Sequence, residues 1–345
     1  MNQRPLPLAT LVALLACDSK SADTADRVGH QLAVSPSHAC VIRSAGVYCW
    51  GDNFLGQLGT GEQTESAAAV QASVLRSDAV EVAAATGRTC VRTREGAIEC
   101  WGANDRGQAG DGTRIDTLEP VAAQGIGDAL KLAIDDESTC VVREPGRTVA
   151  CWGGSGEAAS RPCAIDGLKQ IEELRAGSTG HYCARDASHA VWCWQSNDGQ
   201  WAAPVELEAL AGARAIAVTS YDTVCAIVEA GNVLCHNTEN GSSTPLDDSD
   251  DMVSINAAGS LALCGSKSDG RWYCWNVLPP MLESVGSPSI AVPSEVALRE
   301  LWIAGFRVCA LREDERVVCA DANQVVIGLD SISPSGLEPV AGLPD

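Results

Sequence analysis

Cysteine carries the most chemistry in this sequence of 345 residues, which holds sixteen of them. Fourteen fall into pairs: Cys40/Cys49, Cys90/Cys100, Cys140/Cys151, Cys183/Cys193, Cys225/Cys235, Cys264/Cys274 and Cys309/Cys319. Eight to ten residues separate the members of a pair, and the first members recur 50, 50, 43, 42, 39 and 45 residues apart. Cys17 and Cys163 stand outside this rhythm. The separation within pairs is too wide for the knuckles of a zinc ribbon. Disulfides in an oxidising compartment are the expectation, against the alternative of seven pairs of reduced core cysteines.

Other reactive constellations are sparse. The five histidines, His30, His38, His181, His189 and His236, show no i, i+4 zinc spacing. The sequence has no phosphate-binding Gly-x-x-x-x-Gly-Lys-[Ser/Thr] loop, no dinucleotide fingerprint after a strand and no Gly-x-Ser-x-Gly elbow. A Ser-His-Asp triad needs no local signature, so spacing alone leaves it open. The acidic runs Asp135-Asp136-Glu137 and Asp247-Asp248-Ser249-Asp250-Asp251 lack the alternate spacing and glycine of an EF-hand loop. They read as solvated acidic loops, with calcium binding as the competing reading. No catalytic residue, cofactor or metal site is expected.

The elements that carry the cysteines are hairpins. His38-Ala39-Cys40-Val41-Ile42-Arg43 runs into Ser44-Ala45-Gly46 and returns as Val47-Tyr48-Cys49-Trp50. Both arms are short, alternating and rich in β-branched or aromatic residues, with a glycine at the turn. The turn signal recurs at Glu95-Gly96, Pro145-Gly146, Gly231-Asn232 and Asp269-Gly270. Cysteines placed symmetrically about such a turn lie within bridging distance. Each bridge closes a loop of about ten residues, a stabilisation of roughly 2–3 kcal/mol in the chain-entropy model. Trp50, Trp101, Trp152, Trp194 and Trp275 each follow the second cysteine of a pair. A tryptophan fixed at one repeat position is expected in the core, between neighbouring units.

The segment Cys49-Trp50-Gly51-Asp52-Asn53-Phe54-Leu55-Gly56-Gln57-Leu58-Gly59 resembles the signature of the regulator-of-chromosome-condensation repeat family. Cys100-Trp101-Gly102-Ala103-Asn104-Asp105-Arg106-Gly107-Gln108-Ala109-Gly110 repeats it. His38 and His181 occupy the family's histidine position, two residues before the first cysteine. The signature fades at Cys151-Trp152-Gly153-Gly154, and Cys235-His236 and Cys319-Ala320 lack the tryptophan. The resemblance implies an all-β, seven-bladed β-propeller of four-stranded blades over residues 28–345. Seven units of about 45 residues leave room for four strands and their turns. The Pro-Val-like segments Glu119-Pro120-Val121 and Ala203-Pro204-Val205 read as the strands that open repeats. Glu338-Pro339-Val340 then reads as an opening strand that completes the first blade and closes the ring.

At the N-terminus, Met1 to Arg4 is a short basic stretch and Leu6 to Ala16 an apolar one, too short to span a bilayer. Leu14-Leu15-Ala16-Cys17 looks like a lipobox, with Leu15 bulkier than the family pattern prefers. Residues 1–16 are therefore expected to be a lipoprotein signal peptide, Cys17 the lipid attachment site, and 17–27 a flexible tether. A plain secretory signal with an incidental Cys17 is the alternative. A formal net charge of −21 repels phosphate backbones and anionic lipid headgroups. The resulting expectation is an exported bacterial lipoprotein of the cell envelope, periplasmic or at the cell surface. It is monomeric, non-catalytic and held to the membrane by lipid alone, and its propeller binds an unidentified protein and no nucleic acid. The resemblance implies two alternatives, an inhibitor like a β-lactamase-inhibiting propeller and, less readily for an exported chain, nucleotide exchange on a small GTPase.

Overall fold

The computed structural model describes residues 31–73, 78–154, 156, 160–177, 180–197, 200–219, 223–258, 262–276, 290–292, 297–304, 307–321 and 338–344. The expected signal peptide, Cys17 and the expected tether lie outside this set.

Seven antiparallel sheets follow one another along the chain, each with four principal strands in simple meander order. Blade 1 comprises Leu32–Val34, His38–Arg43, Gly46–Gly51 and Ser66–Gln71. Blades 2 to 7 begin at Ala79–Ala85, Ala129–Ile134, Ile171–Ala176, Ala215–Val218, Met252–Ala258 and Leu298–Ala304. These first strands contact one another in sequence around the ring, and that of blade 7 touches that of blade 1. They are therefore the inner strands of a closed, seven-bladed propeller. The described residues include no α-helix and carry two short 3-10 turns, Glu208–Leu210 and Glu229–Gly231, among their connections.

A disulfide joins the second and third strands of every blade. The bridges are Cys40–Cys49, Cys90–Cys100, Cys140–Cys151, Cys183–Cys193, Cys225–Cys235, Cys264–Cys274 and Cys309–Cys319. In all seven the two cysteines are directly paired in the register. Their Cα atoms lie 3.9–4.1 Å apart, the close spacing of a non-hydrogen-bonded antiparallel pair.

All seven predicted hairpin staples are present, and Cys274 of blade 6 shows that these cysteines also pack between blades. Besides its bridge to Cys264, Cys274 pairs in the register with Ile290 on the outer strand. It is 1% exposed and belongs to the same apolar cluster as Leu298 and Leu301 of blade 7. The physical reason is that a disulfide between strands projects from one face of a sheet, and in a propeller that face abuts the next blade. Cys274 therefore walls the gap between blades 6 and 7 as well as closing its hairpin.

Apolar clusters fill the gaps between blades in this way. The tryptophan after the second cysteine sits in the gap that precedes its own blade. Trp101 packs with Cys40, Cys49 and Leu58 of blade 1, and Trp152 packs with Cys90, Cys100 and Ala109 of blade 2. All five of these tryptophans are at most 5% exposed, which places them in the core.

The C-terminal segment departs from expectation. Glu338–Pro339 pairs with the third strand of blade 7, with Glu338 opposite Cys319, and does not enter blade 1. The reason lies in the Pro-Val-like segments, which are outer strands. Val121 pairs with Cys100 and Val205 with Cys193, each within its own blade. Blade 1 already has its inner strand in Leu32–Val34. The ring closes by contact: Leu32 packs with Ala304 and Leu311, the Gln31 N–H donates to Glu300 Oε1 at 3.1 Å, and the Ala69 N–H donates to the carbonyl of Ala341 at 2.8 Å.

Candidate interaction face and the blade interfaces beneath it

The long connectors from third to outer strand share one face of the disc with the short turns between first and second strands. In blades 1 and 2 the connectors are built alike. Gly51 leaves the third strand at φ +116°, and a Cβ there would lie 2.6 Å from the carbonyl of Ser37. Asn53 is fully buried: its Oδ1 accepts from the Leu58 N–H at 2.9 Å, and its Nδ2 donates to the carbonyls of Glu62 and Thr64. Asn104 does the same for Ala109 and Ile115. Gln57 Oε1 accepts from the Leu55 N–H, and Gln108 Oε1 from the Arg106 N–H. These side chains replace the backbone partners that an irregular loop lacks.

The main-chain carbonyl of Gln57 then reaches into the next blade. It accepts from the indole N–H of Trp101 at 2.8 Å and from Thr89 Oγ1 at 2.9 Å. The carbonyl of Gln108 accepts from Trp152 at 3.0 Å, Thr139 at 2.8 Å and Arg88 at 2.9 Å. Gly110, at φ +75°, makes that approach possible, since a Cβ would lie 2.5 Å from Trp152 Nε1. Gly56, Gly59 and Gly107 also have positive φ, and Gly102 leaves blade 2 as Gly51 leaves blade 1.

Two residues before each first cysteine comes the position held by His38 in blade 1 and by His181 in blade 4. His38 is fully buried. Its Nδ1 lies 2.9 Å from Ser35 Oγ and 3.1 Å from Ser37 Oγ, and its Nε2 lies 2.6 Å from Thr89 Oγ1. Burial, reinforced by the Arg307 guanidinium, holds its pKa down at about 3, so the ring is neutral. With its histidine fully buried and bonded to Thr89 of blade 2, this serine-histidine group is a fixture of the interface between blades 1 and 2.

In blade 2 the same position holds Arg88, also fully buried. It donates to Thr139 Oγ1 and to the carbonyls of Gln108, Asp135 and Ser138 at 2.6–2.9 Å. Asp135 corrects the reading of its run as a solvated loop, for it is only 3% exposed. Its carboxylate accepts from the N–H groups of Glu137, Ser138 and Gly180 and from Ser138 Oγ, which in turn meets Tyr182 Oη at 3.0 Å. Burial raises the Asp135 carboxyl, opposed by these donors and by Arg88. The group welds blades 2, 3 and 4 together. Asp136 and Glu137 remain outside it, Asp136 accepting from the Thr86 N–H and Glu137 pairing with Arg106 at 3.4 Å. The carboxylates of the second acidic run stay at the surface, with Asp250 paired to Lys267, while Ser249 between them is buried and donates to the carbonyl of Leu246. Among the described residues no cluster of three or more His, Cys, Asp or Glu is arranged to hold a metal ion.

What the connectors present outward is apolar at its tips. Phe54 is 70% exposed and Ile115 72%, with Leu55 beside them at 38%. The connectors of blades 1 and 2 shingle over the ring: the Gly61 N–H donates to the carbonyl of Leu118, and the Gly112 N–H to that of Ser160. Asp52, Glu62, Asp105, Asp111 and Asp116 lie on these same loops.

Residues 30–57 match the family model described as the regulator of chromosome condensation (RCC1) repeat. The ubiquitin ligase HERC2 of Mus musculus is 26% identical over 184 residues, which are 48% of this chain and 4% of HERC2. The probable ubiquitin ligase HERC4 of Rattus norvegicus is 30% identical over 168 residues, 46% of this chain and 16% of HERC4. The chain thus spans a small part of the length of these relatives. Prp20p of Saccharomyces cerevisiae superposes with a TM-score of 0.65 at 15% identity, over 92% of this chain and 89% of that one. The repeats of this chain are thus similar to RCC1 repeats, and its fold is that of Prp20p. The ectodomain of the Arabidopsis thaliana receptor kinase ACR4 has the same fold, with a TM-score of 0.56 at 20% identity over 87% of this chain and 96% of that one.

In the first two repeats, the signature glycines, asparagines and glutamines build the connector and its carbonyl bridge. They present no reactive group to solvent. The bridge is missing at the fourth repeat, where Trp194 Nε1 is buried without a partner, whereas Trp275 of the sixth donates to the carbonyl of Asp247 at 3.0 Å. Sequence reasoning missed Arg88 and Asp135, although the alignment of Arg88 with His38 in the repeats was the available signal. Cys163, the one free thiol among the described residues, lies opposite Cys151 on the outer strand of blade 3, and its Sγ is 3.3 Å from the Cys151 carbonyl. Partial burial pushes its thiol pKa up. No helix among the described residues is long and apolar enough to cross a membrane. Seven disulfides belong to an oxidising or extracellular compartment.

Proposed function

We propose that this chain is an exported, lipid-anchored bacterial propeller that docks a protein partner on its connector face and performs no catalysis itself. The observation that carries the docking reading is the pair of apolar tips, Phe54 and Ile115, held out by connectors that are otherwise locked by buried hydrogen bonds. Exposed aromatic and aliphatic anchors on a rigid base are the material of interface hot spots. The carboxylates around them and the net charge of −21 favour a partner that is apolar at its centre and basic at its rim. The yeast Prp20p was described with its binding to Gsp1p and histones, which supports protein binding by a propeller of this fold. The lipobox-like Leu14-Leu15-Ala16-Cys17 and the short tether support attachment of the mature chain through Cys17.

The test is crosslinking and affinity capture from the native envelope with wild type and with Phe54→Ser/Ile115→Ser. The double variant keeps its thermal stability and loses the captured protein. Capture unchanged in the variant removes the connector face from the reading. Intact-mass analysis of the native protein decides the anchor: a diacylated or triacylated Cys17 supports it, and an unprocessed Met1 chain rejects it. Inhibition of an exported enzyme is the second reading, favoured by the exposed Phe54, and it is checked by assaying whatever enzyme is captured.

A further inference from the structure

The gaps between blades are filled unevenly. Between blades 1 and 2 the space holds Trp101 and Leu58; between blades 2 and 3 it holds Trp152 and Ala109. Five blades have tryptophan after the second cysteine, while blade 7 has Ala320 and blade 5 has His236, whose register partner Val224 faces the gap shared with blade 4. His236 bonds instead to Ser243 on the outer strand of its own blade, at 2.8 Å. The blade 4 connector also lacks the Gly-Gln-Leu-Gly segment that delivers Leu58 in blade 1. Removing a large side chain from a rigid core leaves a void unless the walls can collapse. Here one wall is a sheet clamped by Cys183–Cys193.

The void is present. A cavity of about 400 Å³ opens between blades 4 and 5, within the range of small-molecule sites. Its apolar wall comes from Cys183, Cys193, Val205 and Leu207 of blade 4 and from Val218 and Val224 of blade 5. Polar groups come from His181, Gln195, Thr238 and Glu239. An apolar wall that includes Val224, the register partner of His236, with hydrogen-bonding groups beside it suits an aromatic ring that carries an N–H. We propose that the gap between blades 4 and 5 binds a planar aromatic ring of indole size, brought by a small molecule or by an exposed tryptophan of a partner. The site lies apart from Phe54 and Ile115 and does not depend on the docking reading.

Calorimetry and ligand-observed NMR on the disulfide-intact protein test it, with indole and with an end-blocked pentapeptide bearing one central tryptophan as probes. Saturable binding at one site per chain is expected. His236→Trp restores the residue of the repeat and is expected to weaken binding at least about tenfold. Ala202→Trp, on the irregular connector at the same cavity, is expected to do likewise by plugging it. Indole binding tighter than the peptide assigns the ring to a free molecule, and the reverse order assigns it to a partner's side chain. Absence of saturable binding of both probes to wild type, or wild-type affinity in both variants, overturns the proposal.

Discussion

The indole N–H of Trp101 donates to the main-chain carbonyl of Gln57, 2.8 Å away and one blade back in the ring. Trp152 repeats this with Gln108, while Trp194, equally buried, finds no acceptor. A buried donor without a partner carries a desolvation cost that phenylalanine would not. Trp101→Phe should therefore destabilise the protein by about 1–3 kcal/mol more than Trp194→Phe. Chemical denaturation of the two variants measures the gap, and equal losses would show that the carbonyl bridge contributes nothing.

Arg88 supplies donors to Thr139 and to three carbonyls and faces the buried Asp135. Arg88→Met leaves that carboxylate without its cation, and a loss of about 3–5 kcal/mol is expected. Arg88→Lys should recover little, because an ammonium cannot span acceptors set for a planar fork. Recovery of most of the stability by lysine would mean that charge alone is what the site needs.

His38 sets an acid limit. Its folded pKa of about 3 lies below the 6.5 of the free side chain. Between these values the unfolded chain binds a proton that the folded chain refuses. Stability from this group is complete above about pH 6.5 and is lost as pH falls from there towards about 3. His38→Gln removes the group that titrates, so the melting temperature of the variant should fall less steeply over that window. Parallel curves for the two proteins would place the acid sensitivity elsewhere.

Cys163 should be the thiol that reports on the native state. Its raised pKa predicts alkylation at neutral pH more slowly than a free cysteine. Unfolding without a reductant should expose no second thiol within residues 31–344, since the other cysteines there are bridged. Peptide mapping after labelling decides it, and a labelled Cys140 or Cys151 would show that the outer-strand thiol had exchanged with its neighbour.

Much of this was legible in the spacing of Cys40/Cys49 and its six successors, because a disulfide across an antiparallel pair fixes hairpin, register and repeat together. The core role of Trp101 was legible for the same reason. The second role of Cys274, as a wall of the gap to blade 7, was not, because spacing along the chain says nothing of which sheet face meets a neighbour. Asp135 was hidden too, because a run of three acidic residues looks solvated until the fold brings Gly180 and Arg88 to the first of them. The strand role of Glu338–Pro339 was misread because an outer strand followed by a link looks, in sequence, the same as a strand that opens the next unit. The gap at His236 was visible only as a missing tryptophan, and its volume depended on how far two clamped sheets could approach.

Every bridge lies within a blade, and none of the seven ties one blade to another. Under a pulling force the molecule would therefore behave as a string of clipped hairpins. The contacts between blades would yield first, and each clip would withhold about ten residues, roughly 35 Å of contour, from extension. Adding a reductant would restore that length in seven similar increments, so the chain carries its own ruler for counting intact blades.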